Sequence, residues 1–221
     1  SPPQPPRSPR TAEASNSANP KNGAEEKTFA PFFCRFFMRV WENPNIENNA
    51  PMEIIQATVE HAEAVAKIYN YYIENSTATF ETSAISAEQM RGRIAEISAE
   101  FPYIVGVENG VVAGYAYAHR WKEREAYRRT LETAVYLDPQ FCGRGLGGRL
   151  LGRLVEECAK IPDALALIAC ITAENSASLR LHEKFGFERV SEFGEVGYKF
   201  GRFLGVIDLE LILGRKSAKK Y

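Results

Sequence analysis

The run Asp138-Pro139-Gln140-Phe141-Cys142-Gly143-Arg144-Gly145-Leu146-Gly147-Gly148 sets four glycines between a strand-like stretch and a helix-like one. Glycines let the backbone come close to a ligand and turn its N–H groups outward, while the positive end of the following helix points at the same place. That chemistry suits a phosphate or pyrophosphate; the plain alternative is a flexible strand-to-helix connection. Gly143, Gly145 and Gly148 also satisfy G-x-G-x-x-G, and Glu174 follows roughly where a dinucleotide fold carries its ribose-binding acid. Against that fold, several antiparallel strands precede the loop and a single strand-helix-strand unit contains it, so the glycine spacing alone is weak. There is no G-x-x-x-x-G-K-[ST] run, and nucleotide hydrolysis is unsupported.

Two side chains could move protons. Glu132 interrupts an otherwise uncharged strand run, Thr130 to Leu137. In a partly desolvated cleft its pKa would rise and it could take a proton; facing solvent or paired with Arg128 it would do nothing. His182 lies in a helical stretch, where a lone histidine is usually structural but can accept or deliver a proton near pH 7. His61 and His119 are placed in the structural class. Lys122, Arg124 and Tyr127 precede the Glu132 strand and could bind an anionic group, the alternative being a solvated, charge-rich loop.

The elements that must carry these residues are legible from residue 52 onward. Met52 to Ala57 reads as a short strand. Thr58 can cap a helix whose apolar positions Ala62, Val65, Ile68, Tyr69 and Tyr72 recur at helical spacing. Ser86 with Gln89 is a capping-box signal for a second helix reaching about Ile97. Strands are predicted at Tyr103 to Val107 and Val111 to Tyr117, joined by Asn109-Gly110, a type I′ hairpin signal, and again at Thr130 to Leu137. After the glycine loop come a helix to about Lys160, a buried-type strand Leu165 to Ile171, and a helix Ser176 to Phe185. Strands near Glu188 to Val196 and Phe203 to Leu213 close the chain. Antiparallel strands followed by a βαβα unit and a hairpin make a mixed α+β sheet.

Composition narrows the function classes. The 221 residues carry a net charge of −1, a poor match to a dedicated nucleic-acid binder, and no apolar run approaches a bilayer span. The four cysteines (Cys34, Cys142, Cys158, Cys170) form no C-x-x-C pair, which argues against a disulfide scaffold or a metal site and fits a reducing compartment, with the cytoplasm as default. Half of the 12 prolines fall before residue 21, so residues 1–28 are expected to be disordered. The aromatic stretch Phe29 to Trp41 is broken by Arg35 and Arg39 and has no cleavage-site pattern, which disfavours a signal peptide; an amphipathic partner- or membrane-surface segment is the alternative. With a start at Ser1 and a clean domain opening at Met52, residues 1–51 are expected to be a disordered or non-native extension and 52–221 the functional domain. The basic tail from Arg215 reads as a solubilising end.

Taken in order, the strand, glycine loop, long helix, strand and Asn175-Ser176-Ala177-Ser178-Leu179-Arg180-Leu181-His182-Glu183-Lys184-Phe185-Gly186-Phe187 resemble the GNAT N-acetyltransferases. Trp121-Lys122-Glu123-Arg124-Glu125-Ala126-Tyr127, Thr130-Leu131-Glu132-Thr133-Ala134-Val135-Tyr136 and Gly197-Tyr198-Lys199-Phe200-Gly201-Arg202-Phe203 are more closely similar to the phosphinothricin and amino-acid N-acetyltransferases. The resemblance runs from Met52 to about Leu213 and implies a GNAT fold, acetyl-CoA as cosubstrate, no metal, and transfer to the α-amine of a small amino acid or analogue by direct attack in a ternary complex. No cysteine stands where the family uses a nucleophile.

It further implies Glu132 as general base and His182 as acid or secondary base. Val135, Tyr136 and Leu137 would lie along the pantetheine arm, Gly143, Arg144, Gly145, Leu146, Gly147 and Gly148 around the pyrophosphate, and Asn175 near the thiol. Lys122, Arg124 and Tyr127 would bind the acceptor. A homodimer is implied as well. Cys142 departs from the family loop, which carries Gln or Arg there, and is read as a tolerated substitution rather than a redox switch. The rival readings are a GNAT enzyme acting on a polyamine, antibiotic or protein N-terminus, a non-catalytic acyl-CoA-binding module, and a Rossmann-type nucleotide binder.

Overall fold

Local sequence chemistry starts and stops most of the elements. The computed structural model describes residues 52–213; the expectations for residues 1–51 and for the basic tail lie outside the described residues. A short first strand, β1 (Glu53–Gln56), leads to a 3-10 turn, Val59–His61, before α1 (Ala62–Asn75). The turn arises because His61 folds back, its Nδ1 accepting the Thr58 N–H at 2.9 Å, so Thr58 caps the turn rather than the helix itself. Helix α1 buries the five apolar positions of the helical pattern together with Ala66 and Ile73. Helix α2 (Ala87–Ser98) opens on the reciprocal capping box: the Gln89 N–H donates to Ser86 Oγ at 3.1 Å and the Ser86 N–H to Gln89 Oε1 at 2.7 Å. Between β2 (Tyr103–Glu108) and β3 (Val111–Arg120), Asn109 and Gly110 take φ of 51° and 77°, the two positive values a tight hairpin of matching twist requires.

β4 (Thr130–Leu137) pairs antiparallel with β3 along its length, and α3 (Leu146–Ala159) crosses back to β5 (Ala166–Thr172), which lies parallel to β4. Helix α4 (Ser176–Lys184) and the hairpin β6 (Glu188–Lys199) and β7 (Arg202–Ile212) complete one seven-stranded sheet in the order β1-β2-β3-β4-β5-β7-β6. β3 and β6 each run three residues past their predicted ends, because pairing with β4 and β7 extends them beyond what their own alternation signals. The sole parallel pair among the described strands is β4–β5, so this is the expected α+β sheet and not a Rossmann fold. Its glutamate candidate is engaged elsewhere: Glu174 accepts from Thr77 and pairs with Arg202.

The sheet separates two apolar clusters. On one face α1 and α2 pack on Tyr103, Val105 and Tyr115; on the other the fully buried Leu150, Leu151 and Leu154 of α3, with Leu179 of α4, cover Leu131, Leu167 and Ile171. Each such leucine contributes about 1.5–3 kcal/mol by leaving water. No helix among the described residues is long and apolar enough to cross a membrane.

One irregularity governs the site. β4 pairs with β5 only at Thr130↔Ala166, Leu131↔Leu167 and Glu132↔Ile168, and then the two strands part although both continue. At the fork the Thr133 hydroxyl donates to the Ile168 carbonyl at 3.2 Å, satisfying a group that would otherwise wait for a ladder partner. β4 is held from its other side, where Gly114 of β3 faces Leu137: a Cβ at Gly114 would sit 2.6 Å from the Tyr136 carbonyl oxygen. Gly114→Ala should therefore lower stability by about 1–3 kcal/mol, the usual cost of overpacking against backbone. The check is a urea titration showing a lower midpoint with the slope retained; an unmoved midpoint would mean β4 has room to spare.

Candidate active site

Where β4 and β5 part, a cavity of about 290 Å³ opens, floored by Glu132–Tyr136 of β4 and Ala169–Thr172 of β5. It is lined from both faces of the sheet: Tyr69, Thr79 and Tyr117 on the α1 side, Ser178 and His182 of α4 on the other. An opening through the sheet, with one helix N-terminus at each strand end, suits an extended ligand better than a compact one. A shallower hollow of about 460 Å³, outside α3 by Ile54 and Arg149, contains neither Glu132 nor His182.

Glu132 lies at the fork, half-buried, opposite His119 of β3. Burial raises its carboxyl above the usual carboxylate range, and the Asp208 carboxylate raises it further, while His119 and the Cys170 thiol partly oppose this. It does not pair with Arg128, which is engaged by Glu125 and Asp163. His182 is 3% exposed, with Nδ1 2.9 Å from the Ser178 carbonyl and the ring edge-on to Phe187. A carbonyl can only accept, so Nδ1 carries the hydrogen and Nε2 of the neutral ring is an acceptor. That Nε2 is the single buried side-chain polar atom without a partner among the described residues, and His182 is one of the residues lining the cavity. Burial also pushes the imidazole below its ordinary pKa, which the Ser178 carbonyl only partly restores. In this state His182 can receive a hydrogen bond or proton at Nε2 but has none to give there.

The glycine loop meets its expected geometry in part. Gly143 and Gly145 adopt φ of 74° and 76°, and Gly145 is the left-handed residue from which α3 starts. Among the described residues the N–H groups of 143–147 are given to no carbonyl, whereas those of Gly148 and Arg149 bond to the Gly145 carbonyl. Five amides at a helix start thus remain to bind an anion, while Gly148 serves the helix and lies open to Phe185 and Leu181. The Leu146 side chain is buried in the core and the Arg144 guanidinium is held by the buried Glu108, so backbone is what these two offer. Val135, Tyr136 and Asn175 line the cavity. Asn175 also caps α4, its side-chain oxygen accepting from the Ser178 N–H at 3.2 Å, and the Leu137 carbonyl accepts from Tyr72. Cys142 is half-buried, its thiol directed at the Asp138 carbonyl and its pKa raised by burial, the opposite of a reactive thiolate.

The structure does not bring Lys122, Arg124 or Tyr127 to the cavity lining. Lys122 folds onto its neighbours, its ammonium 3.8 Å from the Trp121 ring centroid and 5.1 Å from that of Tyr127, and Arg124 faces solvent. Sequence reasoning missed the wall that is present. His119, placed in the structural class from the sequence, borders the cavity, stacks on Tyr117 and acts on the Glu132 charge. Tyr115, Tyr117 and His119 alternate on β3, and that period of two was the available signal. Thr77–Phe80 carried none.

The acetyltransferase (GNAT) family matches residues 65–187. The chain is 35% identical over 170 residues to L-amino acid N-acyltransferase MnaT of Escherichia coli, covering 75% of this chain and 96% of that one. It is 37% identical to the Alcaligenes faecalis phosphinothricin N-acetyltransferase over 145 residues, 65% of this chain and 74% of that one. Among solved structures, the Sinorhizobium meliloti phosphinothricin acetyltransferase in complex with acetyl-CoA superposes with a TM-score of 0.72 at 32% identity, covering 77% of this chain and 93% of the other. The Salmonella typhimurium acetyltransferase yncA, solved with acetyl-CoA, gives 0.72 at 32% identity, with 77% and 99% covered. The chain belongs to the GNAT family and is an acetyl-CoA-dependent N-acetyltransferase.

The His182 geometry has a direct spectroscopic consequence. Its ring nitrogens should show the Nδ1–H tautomer, and the ring should take up its proton at a lower pH than an ordinary imidazole. Nitrogen-15 NMR reads both, and an ordinary titration, or a hydrogen on Nε2, would contradict the burial argument.

Proposed function

We propose that this enzyme moves the acetyl group of acetyl-CoA to the α-amine of a small amino acid or analogue, of the kind represented by phosphinothricin and methionine sulfone or sulfoximine. The observation that carries the reading is Glu132, a carboxylate of raised proton affinity at the fork of β4 and β5. The names of the relatives, amino-acid and phosphinothricin N-acetyltransferases, supply the acceptor class. In this reading the pantetheine arm lies along Val135, Tyr136 and Leu137, and the pyrophosphate rests on the amides of 143–147. Asn175 stands near the thiol. Glu132 takes a proton from the acceptor ammonium, and the freed nitrogen attacks the thioester carbonyl. The tetrahedral adduct gives up the extra proton on its nitrogen as the carbon–sulfur bond breaks, and that proton passes to the departing thiolate, leaving the N-acetyl product and CoA thiol.

His182 contributes an acceptor for an N–H or S–H of the coenzyme. Direct transfer is favoured over an acetyl-enzyme because burial raises the thiol pKa values of Cys142 and Cys158, and desolvation together with the neighbouring Glu132 and Asp208 carboxylates raises that of the more exposed Cys170. Lys122 would have to leave the Trp121 ring, and Arg124 to turn from solvent, to meet an acceptor carboxylate or phosphinate. A homodimer would have a surface on which to form: Val190, Phe193, Val196, Tyr198 and Phe203 of the last hairpin are large, apolar and exposed. Light scattering should then give twice the chain mass, and Phe203→Asp should shift it toward the monomer.

The test is thiol release from acetyl-CoA with phosphinothricin, methionine sulfone, methionine sulfoximine, the common amino acids and spermidine. Turnover confined to amino acids and analogues is expected; turnover on spermidine alone would discard the acceptor class. Glu132→Gln should reduce turnover by about 10²-fold or more, the scale of a lost general base, with coenzyme binding preserved. Because the carboxylate form is the active one, kcat/KM should fall as pH drops through a pKa above the usual carboxylate range. That acidic limb should vanish in Glu132→Gln, and its persistence would assign it to another group.

A further inference from the structure

Residues 76–80 leave α1 without forming helix or strand, yet they supply Thr77, Ala78, Thr79 and Phe80 to the cavity wall. An irregular segment cannot satisfy its own backbone, so the partners of its carbonyls decide whether the wall keeps its shape. Lys199 of β6 is the main partner. The residue is 4% exposed, and its ammonium donates to the carbonyls of Ser76 at 2.7 Å and Thr79 at 2.8 Å, with that of Tyr72 at 3.4 Å. Every hydrogen bond described for this ammonium ends on a carbonyl, two of them at the C-terminal end of α1, where the helix dipole favours a cation. The Thr172 hydroxyl takes the carbonyl between, Thr77, at 2.8 Å.

Two residues earlier on the same face of β6 stands Gly197. A Cβ there would lie 2.3 Å from Cε2 of Phe80, so the ring rests on bare backbone. β6 thus holds the segment's carbonyls at one position and seats its largest side chain at another, though it supplies no atom to the cavity lining itself.

We propose that Lys199 is a positioning residue for the acceptor wall and that Gly197, by seating Phe80, determines which acceptors fit. The assignment of this wall to the acceptor rests on the proposed role of Glu132; the hold of Lys199 on residues 76–80 does not.

The experiment uses the full chain and two variants, Lys199→Met and Gly197→Ala. For Lys199→Met, the methionine sulfone KM should rise by about 10-fold, the scale of a misplaced binding wall, while the acetyl-CoA KM stays within about twofold. Amide hydrogen exchange over residues 74–82 should accelerate with no ligand present. Gly197→Ala displaces the Phe80 ring while leaving the lysine, and should change the kcat/KM ratio between methionine sulfone and phosphinothricin by about fivefold or more. Equal rises in both KM values, or unchanged exchange over 74–82, would overturn the positioning role; an unchanged ratio in Gly197→Ala would overturn the selectivity role. Should Lys199→Met fail to fold, Phe80→Ala replaces it, with the same split between acceptor and coenzyme KM expected. A wild-type chain inactive on every amino acid would sink the acceptor assignment, and the exchange measurement would still judge Lys199.

Discussion

Two parallel strands that pair for three residues and then separate leave backbone without a ladder partner, and β4 and β5 do this in the middle of the sheet. Parted strands would ordinarily close to recover their hydrogen bonds. Here β4 is fixed from behind by seven register pairs with β3, and β5 by seven with β7. Beneath β4 the rings of Tyr103, Tyr115 and Tyr136 stack in sequence, with Tyr69 edge-on to Tyr136. The Thr133 hydroxyl closes the apex of the fork. The opening therefore persists because each strand is committed elsewhere. The free edge and the Glu132 carboxyl at its base derive from it, and the N-termini of α3 and α4 follow the two strands beyond its open end.

The same burial that shapes the opening tunes its two ionisable groups, and in opposite senses. Removing a carboxylate from water raises its pKa; removing an imidazolium lowers its own. Glu132 is shifted up with help from Asp208, and His182 down with only a carbonyl to oppose it. A carboxylate of raised proton affinity and an imidazole of lowered proton affinity are suited to an amine acceptor, which must arrive protonated and react unprotonated. The division of labour follows from position: Glu132 shares its surroundings with His119, Cys170 and Asp208, whereas His182 lies against Phe187 behind the opposite face.

What the sequence made legible was local. The Ser86–Gln89 box, the Asn109-Gly110 hairpin and the glycine loop each encode their geometry within a few residues; the first two are present as read, and the loop in part, with positive φ at Gly143 and Gly145. Glu132 stood out because one charge in an apolar strand has few explanations. The wall at residues 76–80 was illegible because it is made from afar: Lys199 reaches the Ser76 carbonyl across 123 positions and Thr172 reaches Thr77 across 95. Lys122 and Arg124 illustrate the reverse difficulty. Their charge suited an anionic acceptor, but charge does not specify direction, and Trp121 provides Lys122 with a nearer partner. His119 was passed over because a lone histidine near a strand end has many structural uses, and only its register opposite Glu132 gives it another.

The central claim is that the opening between β4 and β5 is where coenzyme and acceptor meet over Glu132. The most direct measurement is a crystal structure of the full chain with CoA and methionine sulfone bound together. The account predicts the pantetheine arm entering between the two strands along residues 135–137, the pyrophosphate on the amides of 143–147, and the acceptor amine within hydrogen-bonding reach of Glu132, directly or through one water. An acceptor amine held elsewhere, with Glu132 facing only protein or solvent, would contradict it.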